Sequence, residues 1–233
     1  MTTSITFGSG ITIGSGITSG TAGGGGGGGV TVFEMGTWAS GTTMPDISGN
    51  GNNFTLSNVS AGETPYAFDG TYATANNNNF PTVGATAMTL RGWFRLPSFS
   101  AGSISLISRN SGGTGWAMRI DSNGNQINLV KYNVADQRIT LSTTLTANAW
   151  HFIAVSQTAS SLVFVVDGAT YTASGSATPF AGSGIPVRLA FDQYIGGVQP
   201  AQDMERVVIL DNEAQNSTTL TGFWNAQKAS YGY

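Results

Sequence analysis

Few residues in this chain have the chemistry for catalysis. There are four glutamates, Glu34, Glu63, Glu205 and Glu213, one histidine, His151, and no cysteine. Hydrolysis by paired carboxylates needs two acids at a fixed separation. Asp203 and Glu205 share one face of a strand but have no third acid in register with them, so they read as a solvated strand end. A Ser-His-Asp triad would have to use His151. That residue stands between Trp150 and Phe152, and alternation puts it on the face opposite those aromatics, where a surface role is expected. Without cysteine there is no thiol nucleophile, disulfide scaffold or zinc ribbon, and a single histidine excludes multi-His metal sites. The expected class is therefore not an enzyme, with no cofactor and no catalytic residues.

Binding chemistry is better represented. Sugar sites set an aromatic platform beside Asn or Asp hydrogen-bonding groups. The run Asn76 to Asn79, with Phe80 beside it, forms a loop; Asn78 in that run, together with Asn110, Trp116 and Tyr194 at a sandwich rim, makes a candidate glycan site. The competing reading is that the asparagines only fill loops and Trp116 only fills core. Calcium prefers six or more oxygen ligands. Asp121-Ser122-Asn123-Gly124-Asn125 has suitable chemistry, as do Asp46 and Asp69, but the segment reads better as an ordinary turn between two strands. No metal site is assigned.

Composition narrows the partners. Charged residues are 9% of the 233, and nine basic against twelve acidic residues give a net charge of −3. Nucleic-acid binding rests on a basic footprint, which is missing, and anionic membrane surfaces are disfavoured for the same reason. No apolar run approaches the ~20 residues of a membrane span. The N-terminus shows no cationic region followed by an apolar stretch, so a cleaved signal peptide is not expected.

The elements that must position these groups are strands. Val30 to Phe33, Met88 to Leu96, Ile104 to Ser108, Trp116 to Asp121, Ile127 to Tyr132, Arg138 to Leu141, Trp150 to Ser156, Leu162 to Asp167, Val187 to Phe191 and Met204 to Leu210 are bounded largely by Gly, Asn, Asp or Ser. In the second of these, Met88, Leu90, Gly92, Phe94 and Leu96 fall on one face. A short C-terminal helix follows, capped by Ser217, with Leu220, Phe223 and Trp224 as its apolar stripe and Lys228 near its end. These strands imply an all-β fold, a two-sheet antiparallel sandwich over residues 30–233, with the short helix covering part of it.

Residues 1–29 form a separate extended arm. Ile5-Thr6-Phe7-Gly8-Ser9-Gly10 is followed by Ile11-Thr12-Ile13-Gly14-Ser15-Gly16 and a decaying Ile17-Thr18-Ser19-Gly20, then by seven glycines, Gly23 to Gly29. Each unit is a short strand with one sticky face. Ile5, Phe7, Ile11, Ile13 and Ile17 are expected to anchor the chain by strand addition to a partner, with the polyglycine threading a narrow gap. Burying five such side chains contributes on the order of 7–15 kcal/mol before ordering costs.

The ordered set Asp46-Ile47-Ser48-Gly49-Asn50-Gly51-Asn52, Ala67-Phe68-Asp69-Gly70, Met88 to Phe94, Trp150 to Val155, Leu162 to Gly168, Ile195-Gly196-Gly197 and Met204 to Leu210 resembles concanavalin A-like, laminin-G-type jelly rolls over residues 30 to 228. The resemblance implies a fold that hosts lectins, glycosidases and structural modules alike. The glycosidases of this class carry Glu-x-Asp-x-x-Glu on one strand, and none of the four glutamates stands in that pattern. The arm's repeats resemble structural proteins of tailed phages, notably those of marine bacteria. The expected function is a non-enzymatic virion protein on the outer, extracellular surface, decorating a capsid or belonging to a tail or fibre. Its partners would be other virion proteins or copies of itself. The alternatives are a lectin-like module binding cell-surface glycan for host attachment, and a subunit of a bacterial surface filament.

Overall fold

The computed structural model describes residues 5–7, 11–13, 30–37, 41–57, 66–68, 72–75, 87–99, 102–111, 113–132, 135–174, 185–195 and 197–233. Ile17, Asn78, Glu63, Asp69 and the polyglycine run lie outside the described residues.

Two antiparallel sheets pack face to face. One has eight strands in the order β12 (Ala135–Thr140), β11 (Gln126–Lys131), β10 (Thr114–Asp121), β9 (Ile104–Ser111), β16 (Arg188–Leu189), β7 (Tyr72–Ala75), β5 (Phe54–Ser57) and β4 (Thr43–Met44). The other has seven: β15 (Ala169–Ser174), β14 (Ser161–Val166), β13 (Trp150–Gln157), β8 (Met88–Arg95), β19 (Gln202–Asp211) and β3 (Val30–Glu34), with β6 (Tyr66–Phe68) also paired to β19. Two short hairpins stand apart, β1 (Ile5–Phe7) with β2 (Ile11–Ile13), and β17 (Phe191–Asp192) with β18 (Gly197–Val198). The first two arm repeats thus pair with each other, Ile5 opposite Ile13 and Phe7 opposite Ile11.

The alternation along β8 puts Met88, Leu90 and Phe94 between the sheets, where they meet Ile104, Trp116, Met118, Ile120, Ile127 and Leu129 of the eight-stranded sheet. The other face of β8 is also buried. Trp93, Phe152, Ala154 and Val165 pack beneath helix α1 (Ser217–Gln227), against Leu220, Phe223 and Trp224. With both faces of β13 covered, its aromatics do not mark the sandwich interior. Trp150 and Phe152 face the helix side, and His151 sits opposite Phe94 on the inner face. His151 is accordingly buried rather than on the surface.

Several local details differ from the sequence expectation, and the strand expected over Val187 to Phe191 is split at Ala190 into β16 and β17. The helix is capped by Asn216 rather than Ser217: the Asn216 side-chain oxygen accepts the Thr219 N–H at 2.9 Å, and Ser217 is already helical. Lys228 lies at the C-cap, its ammonium 4.2 Å from the Trp224 ring centre. Strands β4 to β7 and β15 are additions, and β15 is entered by the two-residue turn Asp167-Gly168, both at positive φ (49° and 84°).

The Asp46–Asn52 segment seals the free edge of β3. Asp46 Oδ1 accepts the N–H groups of Glu34 (3.0 Å) and Ser48 (2.9 Å), and Oδ2 accepts that of Asn52 (2.9 Å). Asn52 Nδ2 donates to the Val32 carbonyl at 2.7 Å, and Asn50 Nδ2 donates to that of Thr31. Asp46 therefore works as a backbone cap, and its oxygens already hold hydrogen-bond donors.

Candidate functional site

The outer face of the eight-stranded sheet carries a polar centre built on Asp192. Ser108, Asn110, Ala117, Arg119 and Asn128 point outward, because their neighbours Arg109, Trp116, Met118 and Leu129 point in. After β16 the chain leaves the sheet through Ala190, at φ 52°, and lays Phe191–Asp192 over this face. Ser108 Oγ donates to the Phe191 carbonyl and fixes the crossing.

Asp192 is fully buried, and its two oxygens are saturated with donors. Arg119 reaches Oδ2 through Nε at 2.9 Å and Nη2 at 2.6 Å. The Tyr132 hydroxyl lies 2.8 and 2.7 Å from Oδ1 and Oδ2, and Asn110 Nδ2 donates to Oδ1 at 2.8 Å. Arg119 Nη2 also donates to the Tyr132 hydroxyl oxygen. Burial, then the hydrogen bond and charge of Asp192, push the Tyr132 phenol well above its ordinary pKa, against the opposing pull of Arg119.

This centre holds an exposed aromatic in place. The Tyr194 N–H donates to Asp192 Oδ1 at 2.9 Å, an Asx turn, and Gln193 N–H donates to Asn110 Oδ1 at 3.2 Å. The Tyr194 side chain is 66% exposed while its ring centre lies 4.7 Å from that of buried Tyr132, tilted by 50°. Arg188 closes one side by donating to the Asn110 carbonyl at 3.2 Å.

Of the residues that the sequence suggests for a glycan, the fold brings Asn110 and Tyr194 together. It does not bring Trp116 with them. That ring is fully buried between the sheets and has no face to offer a ligand, because its place in β10 puts it on the inner side next to Arg119 on the outer. Asp192, Arg119 and Tyr132 are absent from the sequence reading. A mid-strand arginine in a chain with so few charges was the available signal.

The other candidates resolve as structure. Asp121 to Asn125 is a tight turn with Asn123 and Gly124 at positive φ, and Asp121 accepts from Asn128. Among the described residues, no group of three or more His, Cys, Asp or Glu is placed to hold a metal ion. Asp203 pairs with Arg95 at 2.7 Å. His151 is held by Asp167 (Nδ1 to Oδ2, 2.7 Å) and by the Thr146 carbonyl (2.9 Å). Burial alone would lower its pKa, but the hydrogen bond and charge of Asp167, with Thr146, outweigh that and raise it.

On the opposite side of the molecule, a cleft of about 340 Å³ opens between α1 and the outer face of the seven-stranded sheet. Glu34, Arg91, Glu205 and Arg206 line it, with Phe223 and Gln227 from the helix.

This architecture has known counterparts. Residues 67–203 match the family model for the concanavalin A-like lectin/glucanases superfamily, which is more than half of the chain. The chain belongs to this superfamily. Among solved structures, the binding domain of botulinum neurotoxin serotype G is similar at a TM-score of 0.66 and 15% identity, over 86% of this chain and 52% of that one. The binding domain of Paraclostridial Mosquitocidal Protein 1 matches at 0.66 and 15%, over 84% and 52%. The binding domain of botulinum neurotoxin DC, solved in complex with SialylT, matches at 0.62 and 14%, over 84% and 51%. The superfamily member described here thus spans about half the length of these proteins, and at such identities the likeness is one of fold. No curated protein matches the chain.

Proposed function

We propose that the chain is a non-enzymatic carbohydrate-binding module that recognises cell-surface glycan. The observation that carries this reading is the Tyr194 ledge: an exposed aromatic ring fixed by its own backbone to a buried Asp192–Arg119–Tyr132–Asn110 centre. Sugar rings bind through C–H faces on aromatics, and Tyr194 offers such a face, while Asn110 and Asp192 are buried and hold the platform in place. Such a platform binds well when it is rigid before the ligand arrives. The superfamily and the sialyl-ligand complex of one fold neighbour support the same direction. The test is a glycan array on the full chain, followed by titration of a hit against Tyr194→Ala. This exposed side chain can be removed without touching the core, and a loss of at least tenfold in affinity is expected. Silence on the array, or equal binding by the variant, would refute the ledge.

A second reading, a virion surface protein anchored through residues 1–29, is favoured by the pairing of β1 with β2. A two-stranded hairpin is marginal alone and gains stability by docking. Removal of residues 1–29 is expected to abolish incorporation into particles while leaving the sandwich folded; assembly by the truncated chain would defeat this reading.

A further inference from the structure

The cleft beneath α1 contains a guanidinium whose buried Nε lacks an acceptor among the described residues. Arg91 projects from β8 onto the outer face of the seven-stranded sheet, in lateral register with Val208 of β19 and, beyond it, Glu34 of β3. The Phe223 ring covers one face of it, with Cζ 3.8 Å from the ring centre. Its Nε is buried, and among the described residues no atom accepts a hydrogen bond from it. A buried donor left in this way is costly, and native proteins rarely keep one without a purpose. Burial lowers the Arg91 pKa to about 10, with Glu34 and Glu213 pulling the other way, so the group stays cationic at neutral pH.

The geometry limits what can satisfy it. With the phenyl ring on one face, the guanidinium is left to bond through its edge, a planar fork that fits a carboxylate in two parallel hydrogen bonds. The rest of the lining sets the remainder of the ligand. Gln227 spends its Oε1 on the Trp93 indole N–H at 2.7 Å, which leaves its amide N–H₂ as donor. Glu205 is engaged by Arg206 at 3.8 Å, and Glu34 remains as an acceptor for hydroxyl protons. Thr37 adds a hydroxyl, and Ile47, 61% exposed, adds an apolar wall. Two arginines against two glutamates make the cleft neutral overall, which disfavours polyanions such as phosphate esters and suits a singly charged, hydroxylated molecule.

We propose that this cleft binds an acidic monosaccharide unit, its carboxylate bonded edge-on to Arg91 and its hydroxyls to Glu34 and Gln227. The site lies across the sandwich from the Tyr194 ledge and does not depend on it. The experiment titrates the full chain with N-acetylneuraminic acid and with glucuronic acid, using glucose and acetate as comparators. Calorimetry is read alongside the Nε–H NMR signal of Arg91. An acidic sugar is expected to bind and to move that signal, and Arg91→Gln is expected to weaken binding at least tenfold. If Arg91→Gln fails to fold, Arg91→Lys keeps the charge without the fork and should show the same loss. An Arg91 Nε–H signal that neither acidic sugar moves overturns the proposal, as does full-strength binding by a folded Arg91 variant. Glucose binding as well as the acids would remove the role of the carboxylate, and acetate binding as well would remove that of the sugar.

Discussion

Arg119 Nη2 lies 2.6 Å from Asp192 Oδ2, with 7% and 0% of the two side chains exposed. Removing one member of a buried pair leaves the other charge without compensation, which costs about 3–5 kcal/mol. Asp192→Ala is therefore expected to lower the urea midpoint sharply. It should also release Tyr194, whose near-ultraviolet circular dichroism would collapse toward that of a free tyrosine. A variant with wild-type stability would mean that the pair contributes nothing beyond its own desolvation.

His151 links stability to pH. Its folded pKa is raised by Asp167 and Thr146 against the effect of burial. The stabilisation from its proton is fully present below the unfolded value of about 6.5 and is lost as pH rises through the higher folded value. The stability difference between wild type and His151→Gln should be largest near pH 5.5 and shrink above pH 7, measured by chemical denaturation at each pH. A difference that is independent of pH would contradict this.

Lys131 works with the opposite sign. It lies inside the sandwich, on the same face as Trp116, and burial lowers its pKa to about 8. Between about pH 8 and 10.5 the unfolded chain binds the proton that the native state has released, so stability rises with pH across that window. Between about pH 8 and 10.5 the stability of wild type should rise relative to that of Lys131→Met, measured by thermal melting at each pH. A constant gap would place the cause in packing rather than charge.

Gly168 stands where α1 meets the β14–β15 turn. A Cβ there would come within 2.8 Å of the Trp224 ring, at a φ of 84° that disfavours any side chain. Gly168→Ala should cost about 1–3 kcal/mol and shift Trp224 fluorescence to the red as the helix is pushed off the sheet. Unchanged emission would show that the ring gives way locally.

Much of the sandwich is readable along β8. Met88, Leu90 and Phe94 alternate toward the interior because a strand has a period of two. The same rule misplaces His151, since α1 covers the second face of β13 and makes both sides of that strand apolar. Trp116 has the chemistry of a sugar platform, but burial depends on which way β10 faces, and pairing with β9 and β11 decides that. The Asp192 centre joins residues 110, 119, 132 and 192 from four separate segments, contacts that no local spacing encodes. Tyr194 and Asn110 could be picked out by type, but what brings them together could not. Strand β15 went unread because Ala169–Ser174 is a largely exposed edge with no buried stripe.

Asp46 supports three backbone N–H groups at once. Asp46→Ala should cost roughly 2–4 kcal/mol by leaving them without an acceptor. It should also bare the rim of β3, so light scattering should grow with concentration in the variant and stay flat in the wild type. A strictly monomeric variant would show that the loop seals nothing.

That loop also governs how such molecules can meet. With the β3 rim shut, and with Gln137 of β12 bonded to the Ser174 carbonyl of β15 where the two sheets' opposite borders come together, these borders are less open to main-chain zippering. Attachment of crowded copies then falls to a flat surface or to one of the two-stranded hairpins, of which β1–β2 carries the leading repeats.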